Sequence, residues 1–164
     1  MGVFTASPRT WAAGETVTAA NMNTQLRDAL NVSSTGFTTY TPVIGGGTWS
    51  IGNGTPVGGY DQFGKTIDVY IELNFGASGS VFGASSATIT LPVSGNGSFI
   101  QELWCTFLDS SASTRYKGVA LVTGSTATIY SIGTAGVMAG LVSSAPFTWA
   151  TGDKIIVNGR YKTA

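Results

Sequence analysis

Apolar and polar positions alternate almost without fault over residues 66–75. Ile67, Val69, Ile71, Leu73 and Phe75 fall on one side, and Thr66, Asp68, Tyr70, Glu72 and Asn74 on the other. Successive side chains of a strand point to opposite faces, so this spacing predicts a half-buried β-strand. Residues 57–63 form a second extended run, and Gly64-Lys65 between the two has the chemistry of a hairpin turn. Residues 87–91 alternate again and stop at Pro92, which has no N–H to give to a ladder. Residues 52–93 therefore read as an antiparallel β unit to which the rest of the chain adds.

Further strands are expected at 40–44 and 48–51, with Gly45-Gly46-Gly47 turning between them. Downstream, residues 99–108 make a long strand containing Trp104. Residues 116–123 and 126–132 make a hairpin around Gly124-Ser125, and 147–149 and 154–161 close the domain across a turn at 150–153. Residues 133–142 are rich in small side chains and carry no clear period. About eight to ten short strands separated by turns predict a mainly β protein, an antiparallel β-sandwich or jelly-roll-like knob.

The period changes near the N-terminus. Thr18 is a fair N-cap, and Met22, Leu26, Ala29 and Leu30 recur at helical spacing, so a short α-helix is expected over about residues 18–31. An isolated helix of that length is marginal in water. Its narrow stripe fits a coiled-coil seam between copies, and it equally fits a helix folded back on its own sheet. Residues 1–16 show no period and read as an extended arm. Phe4 and Trp11 in that arm are expected to lie against a partner surface. The polar stretch 31–39 (NVSSTGFTT) reads as a linker. This divides the chain into residues 1–39 (arm, helix and linker, for docking and trimerisation) and 40–164 (the β knob).

Composition narrows the chemistry. Hydrophobic residues make up 43% of the chain and charged residues 10%, with 23 glycines. Strands joined by tight turns have this composition; disordered chains do not. Eight acidic and eight basic residues cancel, so no basic stripe invites nucleic acid. There is no histidine, which removes the commonest general base and metal ligand. The single cysteine, Cys105, sits in an apolar run and reads as a buried, inert thiol. No signal peptide, lipidation motif or membrane-spanning run is read in the sequence, so the expectation is no membrane insertion.

Asp61, Asp68 and Glu72 form a candidate carboxylate group. Asp68 and Glu72 share the polar face of one strand, where a solvated sheet surface is the expected role. The glycine clusters lack the Lys-Ser/Thr and the helix of a phosphate loop. Without histidine, a serine triad has no base. No catalytic residue, no metal site and no cofactor are expected. The rings of Trp49, Tyr60, Trp104, Tyr116 and Trp149 are assigned to the core. Tyr70, on the polar face of its strand, is the ring left for surface binding.

Two segments carry a resemblance. Residues 8–31 (PRTWAAGETVTAANMNTQLRDALN) resemble the N-terminal motif of virion surface proteins from tailed phages of actinobacteria, P-R-T-W, A-G-E-x-V-T-A, N-x-x-x-R-D-x-x-N. Residues 52–55 (GNGT), Gly59-Tyr60, Gly64-Lys65, the alternating strand, Leu91-Pro92, residues 145–153 (APFTWATGD) and Gly159-Arg160-Tyr161 resemble the β domain of the same proteins. The group includes minor tail proteins, tail fibres, head fibres and capsid decoration proteins. The resemblance implies a non-enzymatic structural protein on the virion surface, commonly a homotrimer, contacting major capsid or tail proteins. Phe4, Trp11, Met22, Leu26 and Leu30 would be its docking or oligomerisation residues. The chain is short for a tail fibre and lacks a long shaft, which favours a capsid decoration or head-fibre protein. The alternative is a minor tail or tail-fibre protein that binds host-surface carbohydrate during adsorption. A depolymerase is a third and weaker reading.

Overall fold

The computed structural model of the chain describes residues 12–22 and 37–163. A four-residue helix, α1 (Ala19–Met22), opens the described part. Thr18 caps it, accepting a hydrogen bond from the Asn21 N–H through Oγ1 at 3.2 Å while its carbonyl takes the Met22 N–H. Leu26 and Leu30, with the rest of the expected helix, and Phe4 and Trp11 in the arm, lie outside the described residues.

The remainder is mainly β, and its long strands are those that the alternation predicts. β4 (Thr55–Phe63) and β5 (Thr66–Asn74) pair through nine residues each, around Gly64 at φ +59°. β8 (Gln101–Asp109), β9 (Thr114–Thr123) and β10 (Thr126–Ile132) follow one another as antiparallel neighbours. β12 (Lys154–Lys162) enters between β5 and β8, pairing with all nine residues of β5 and with five of β8. Shorter pieces complete the sheet: β1 (Thr38–Tyr40), β2 (Ile44–Gly45), β7 (Thr88–Thr90) and β11 (Met138–Gly140). The order is β1-β4-β5-β12-β8-β9-β10-β7-β2, with β11 also on β10. β3 (Ser50–Ile51) and β6 (Ser80–Val81) form a separate two-stranded ribbon.

This order forces the sheet to curl. β1 and β2 sit at opposite ends of the path, yet only residues 41–43 separate them in sequence. Those residues can bridge at most about 14 Å of extended chain. Eight strand spacings laid flat would need about 38 Å. The sheet therefore wraps until its ends meet, and residues 38–45 run across the seam as one bent, extended segment. The Val43 N–H donates to Thr90 Oγ1 at 2.9 Å, and the Thr90 N–H donates to the Val43 carbonyl at 3.0 Å. Thr38 and Thr39, expected as the end of the linker, are thus part of the closure, paired with Tyr60 and Gly59.

The core lies inside the curl. Ile67, Ile71 and Leu73 are fully buried on β5, as are Ile155 and Val157 on β12, Phe107 on β8 and Ile129 on β10. One end is filled by rings: Trp49, Phe75, Phe82, Phe107, Phe147 and Trp149 pack edge-on or tilted with centroids 4.5–6.1 Å apart. Residues 147–149, expected as a strand, are irregular. Their two rings are drawn into this cluster, and the Trp149 N–H of the backbone bonds to Ser143 rather than to a ladder. The β8 strand begins at Gln101, later than expected, and leaves Phe99 and Ile100 exposed.

Two polar side chains finish what the ladders leave open. The β8–β12 ladder ends at the pair Trp104 and Asn158, where Gly159 takes φ +145°. Beyond it, the Gln101 amide stands in for backbone. Its Nε2 donates to the Lys162 carbonyl at 3.0 Å and its Oε1 accepts the Lys162 N–H. At the other end of β12 the Asp153 carboxylate, 1% exposed, accepts from the backbone N–H groups of Ser110 and Ala150 and from the Ser110 hydroxyl. Replacing Gln101 by leucine leaves the Lys162 N–H and carbonyl without these partners. The expected loss is about 1–3 kcal/mol in urea unfolding, with the β-type circular dichroism spectrum retained.

Candidate binding face

A closed sheet has one face for its core and one for everything else, so any site on the long strands must be built from outward-pointing residues. Register and alternation fix which these are. Tyr70 stands opposite Gly59 on β4 and Asn158 on β12. Asn158 stands opposite Trp104 on β8, Trp104 opposite Val119 on β9, and Val119 opposite Tyr130 on β10. Directly paired residues share a face. The result is a single transverse row, Tyr70–Asn158–Trp104–Val119–Tyr130, running across five adjacent strands on the outside of the sheet.

Trp104 is 67% exposed in this row. Its assignment to the core is corrected. Leu103, Cys105 and Phe107 take the inward positions of β8, and strand alternation turns Trp104 outward between them. The same alternation, applied to residues 103–107 as strictly as to 66–75, would have exposed it from sequence. Of the other rings assigned to the core, Trp49, Tyr60 and Trp149 are buried, and Tyr116 is partly buried against the core cluster. Tyr70 is 39% exposed, on the outer face as expected. Val119 points outward yet is only 7% exposed.

Polar groups flank the row and set its geometry. The Tyr70 hydroxyl donates to Glu72 Oε2 at 2.9 Å, laying the ring along its strand. The other Glu72 oxygen meets Lys154 Nζ at 2.7 Å. These two donors hold the Glu72 carboxyl below its usual range, while partial burial and the Glu72 acceptor raise the Tyr70 hydroxyl. On the other side of the row, Arg160 Nη2 meets Asp68 Oδ2 at 2.9 Å. Asp68 and Glu72, weighed from sequence as a carboxylate pair, are therefore each joined to a cation, on opposite sides of Tyr70. Exposed pairs of this kind are worth little in stability, about 0–1 kcal/mol each. Their effect here is that each pair adds charges of both signs and no net charge to the face.

A recess of about 320 Å³ lies beside the row at the β4–β5 turn, lined by Asp61, Phe63, Thr66, Asp68 and Arg160. Among the described residues no group of three or more His, Cys, Asp or Glu side chains is arranged to hold a metal ion. No described helix is long and apolar enough to cross a membrane. Of the residues assigned to docking, Met22 is 41% exposed on α1.

No protein-family model, no curated protein and no solved structure matches this chain.

Cys105 is buried beneath the row, 2% exposed among the inward side chains of β8, and burial pushes its thiol well above the ordinary range. It should not react with a thiol-specific reagent in the native protein and should react stoichiometrically in denaturant. Rapid labelling in the native state would show that β8 opens.

Proposed function

We propose that this chain is a structural protein of a phage particle, displayed on the virion surface as a trimeric β knob held in place by its N-terminal arm. The observation that carries the reading is the contrast between the two parts of the chain. None of residues 12–22 is buried, with Val17 56% and Met22 41% exposed, whereas residues 37–163 close around their own core. Apolar side chains left outside a finished core gain by burial elsewhere, each worth about 1.5–3 kcal/mol if fully covered. A docking arm has this property, and the motif in residues 8–31 that resembles phage virion proteins supports assigning it to particle attachment. Phe4, Trp11, Met22, Leu26 and Leu30 are the side chains proposed to meet major capsid or tail proteins, or the other copies of a homotrimer. A capsid decoration or head-fibre place is the reading preferred.

The knob is proposed to act without catalysis. The pairing of Asp68 with Arg160 and of Glu72 with Lys154 supports this, because both acids are already committed to cations. A second reading, a tail-borne adhesion module that binds host-surface carbohydrate, is favoured by Trp104 standing outward beside Tyr70.

Three measurements test the proposal. Light scattering coupled to gel filtration should give three times the chain's 16.8 kDa. A monomeric mass at micromolar concentration counts against a trimer in solution. A truncated chain beginning at Phe37 should keep a cooperative melt and a β-type spectrum, yet fail to join particles that lack the native copy. Loss of folding would make the arm part of the knob. Antibody labelling of intact particles should mark the whole head; signal confined to the tail tip selects the adhesion reading.

A further inference from the structure

We propose that the row Tyr70–Asn158–Trp104–Val119–Tyr130 is a binding site for an extended, uncharged polysaccharide with equatorial β1→4 linkages. The inference does not depend on whether the protein sits on a head or a tail.

Three features of the row point to this ligand. The first is ring spacing. Tyr70 and Trp104 lie two strands apart, as do Trp104 and Tyr130, and two strand spacings amount to about 10 Å. One pyranose unit in an extended β1→4 chain advances by close to one strand spacing, and alternate units present the same face. Because the sheet curls, the row is convex, and a chain laid along it offers the same sugar face to two neighbouring rings at a time, Tyr70 with Trp104 or Trp104 with Tyr130. Asn158 and Val119 lie beneath the units between, and Asn158 brings an amide that can both donate and accept.

The second feature is how the rings are held. Trp104 stands clear of the sheet at 67% exposure, opposite the buried Val119 of β9. The Tyr70 ring is fixed by its hydroxyl bond to Glu72. Aromatic faces stack on the apolar C–H face of a pyranose, and a ring already fixed loses little entropy when it does so. The sugar's hydroxyls project sideways, toward the Glu72–Lys154 pair along one side and the Asp68–Arg160 pair along the other.

Charge complementarity is the third. Asp68 and Glu72 are each matched by a base, and Glu102 beside Trp104 and Lys117 beside Val119 add one exposed charge of each sign, so the positions flanking the row carry no net charge. Anionic partners such as nucleic acid or an acidic glycan would find no excess of positive charge. The core of a protein–protein contact is depleted in charged residues, whereas this row lies between two ion pairs. A neutral, hydroxyl-rich chain suits both conditions.

The test uses the full-length protein and four soluble oligosaccharides: cellohexaose, chitohexaose, maltohexaose and cellobiose. Isothermal titration and tryptophan emission should both report binding of one or both β1→4 hexamers, the two identifying whether plain or N-acetylated units are preferred. Maltohexaose, which is curved, and cellobiose, which is too short to reach two rings, should bind at least about tenfold more weakly, the scale of one lost stacking contact. Trp104→Ala should weaken hexamer binding about tenfold or more without lowering the melting temperature, because the ring is exposed. Asn158→Ala should also weaken it, and Trp104→Phe should retain part of it. Equal binding of maltohexaose would overturn the linkage assignment. No hexamer binding at millimolar concentration, or binding untouched by Trp104→Ala, would overturn the site. If Trp104→Ala instead breaks up an oligomer and no sugar binds, the row is a contact between copies and the proposal fails.

Discussion

The structure depends on where its last strand goes. β12 is hydrogen-bonded to β5 on one side and β8 on the other, so it joins β1-β4-β5 to β8-β9-β10-β7-β2. Without it, two sheets of local hairpins would face each other with their inner edges open, and a core residue such as Ile71 or Phe107 would have its pleat neighbour on one side only. The strand brings three inward side chains of its own, Ile155, Val157 and Tyr161, all buried, with the buried Thr163 just past its end. It is also the element fixed at both ends by polar groups: Asp153 before it, tied to Ser110 and Ala150, and Lys162 at its end, tied to the Gln101 amide. Buried donors and acceptors are costly to leave open, so these contacts specify register as well as adding stability.

Closure of the sheet has a second consequence, for function. Among the described residues no helix or second sheet is paired over the outside of β5, β12, β8, β9 and β10, so outward side chains such as Tyr70 and Trp104 face partners. Adjacent strands place outward residues about 4.8 Å apart along each transverse row. A row that crosses a closed sheet is therefore a ruler, and the positions of Tyr70, Trp104 and Tyr130 along it are set by backbone hydrogen bonds rather than by loops. Sites carried on such scaffolds hold their geometry more closely than sites on loops.

The rings of the molecule divide between two roles for one reason. Trp49, Phe75, Phe107 and Trp149 lie on the inner side or in segments that fold over the open end of the curl, where they fill volume and satisfy their indole N–H groups on the carbonyls of Ser85 and Ala145. Trp104 is on the same strand as Phe107 but at odd spacing from it, and three residues along a strand reverse the face. The close approach at Gly118 shows how full the inside is. A Cβ there would lie 2.4 Å from the Phe107 ring, so the core has no room for another large ring from this part of the sheet.

Alternation in residues 66–75 determined the buried face of β5, and the hairpins β4–β5 and β9–β10 could be read from their turns. In each case the interacting residues are close in sequence, so a two-residue turn and a period of two suffice. The Thr18 cap was legible for the same reason, as were the buried Cys105 and the outward Tyr70. Trp104 was legible in principle, since only the period of its own strand was needed. Tertiary structure alone decided that β12 enters between β5 and β8, that Thr38 and Thr39 belong to the seam, and that residues 147–149 give up a strand to place two rings. These depend on contacts between segments tens of residues apart, whose partner and register no local pattern encodes. The row from Tyr70 to Tyr130 shows the limit clearly. Its members are separated by as many as 88 positions in sequence, and only the pairings of β5 with β12, β12 with β8, β8 with β9 and β9 with β10 bring them into line.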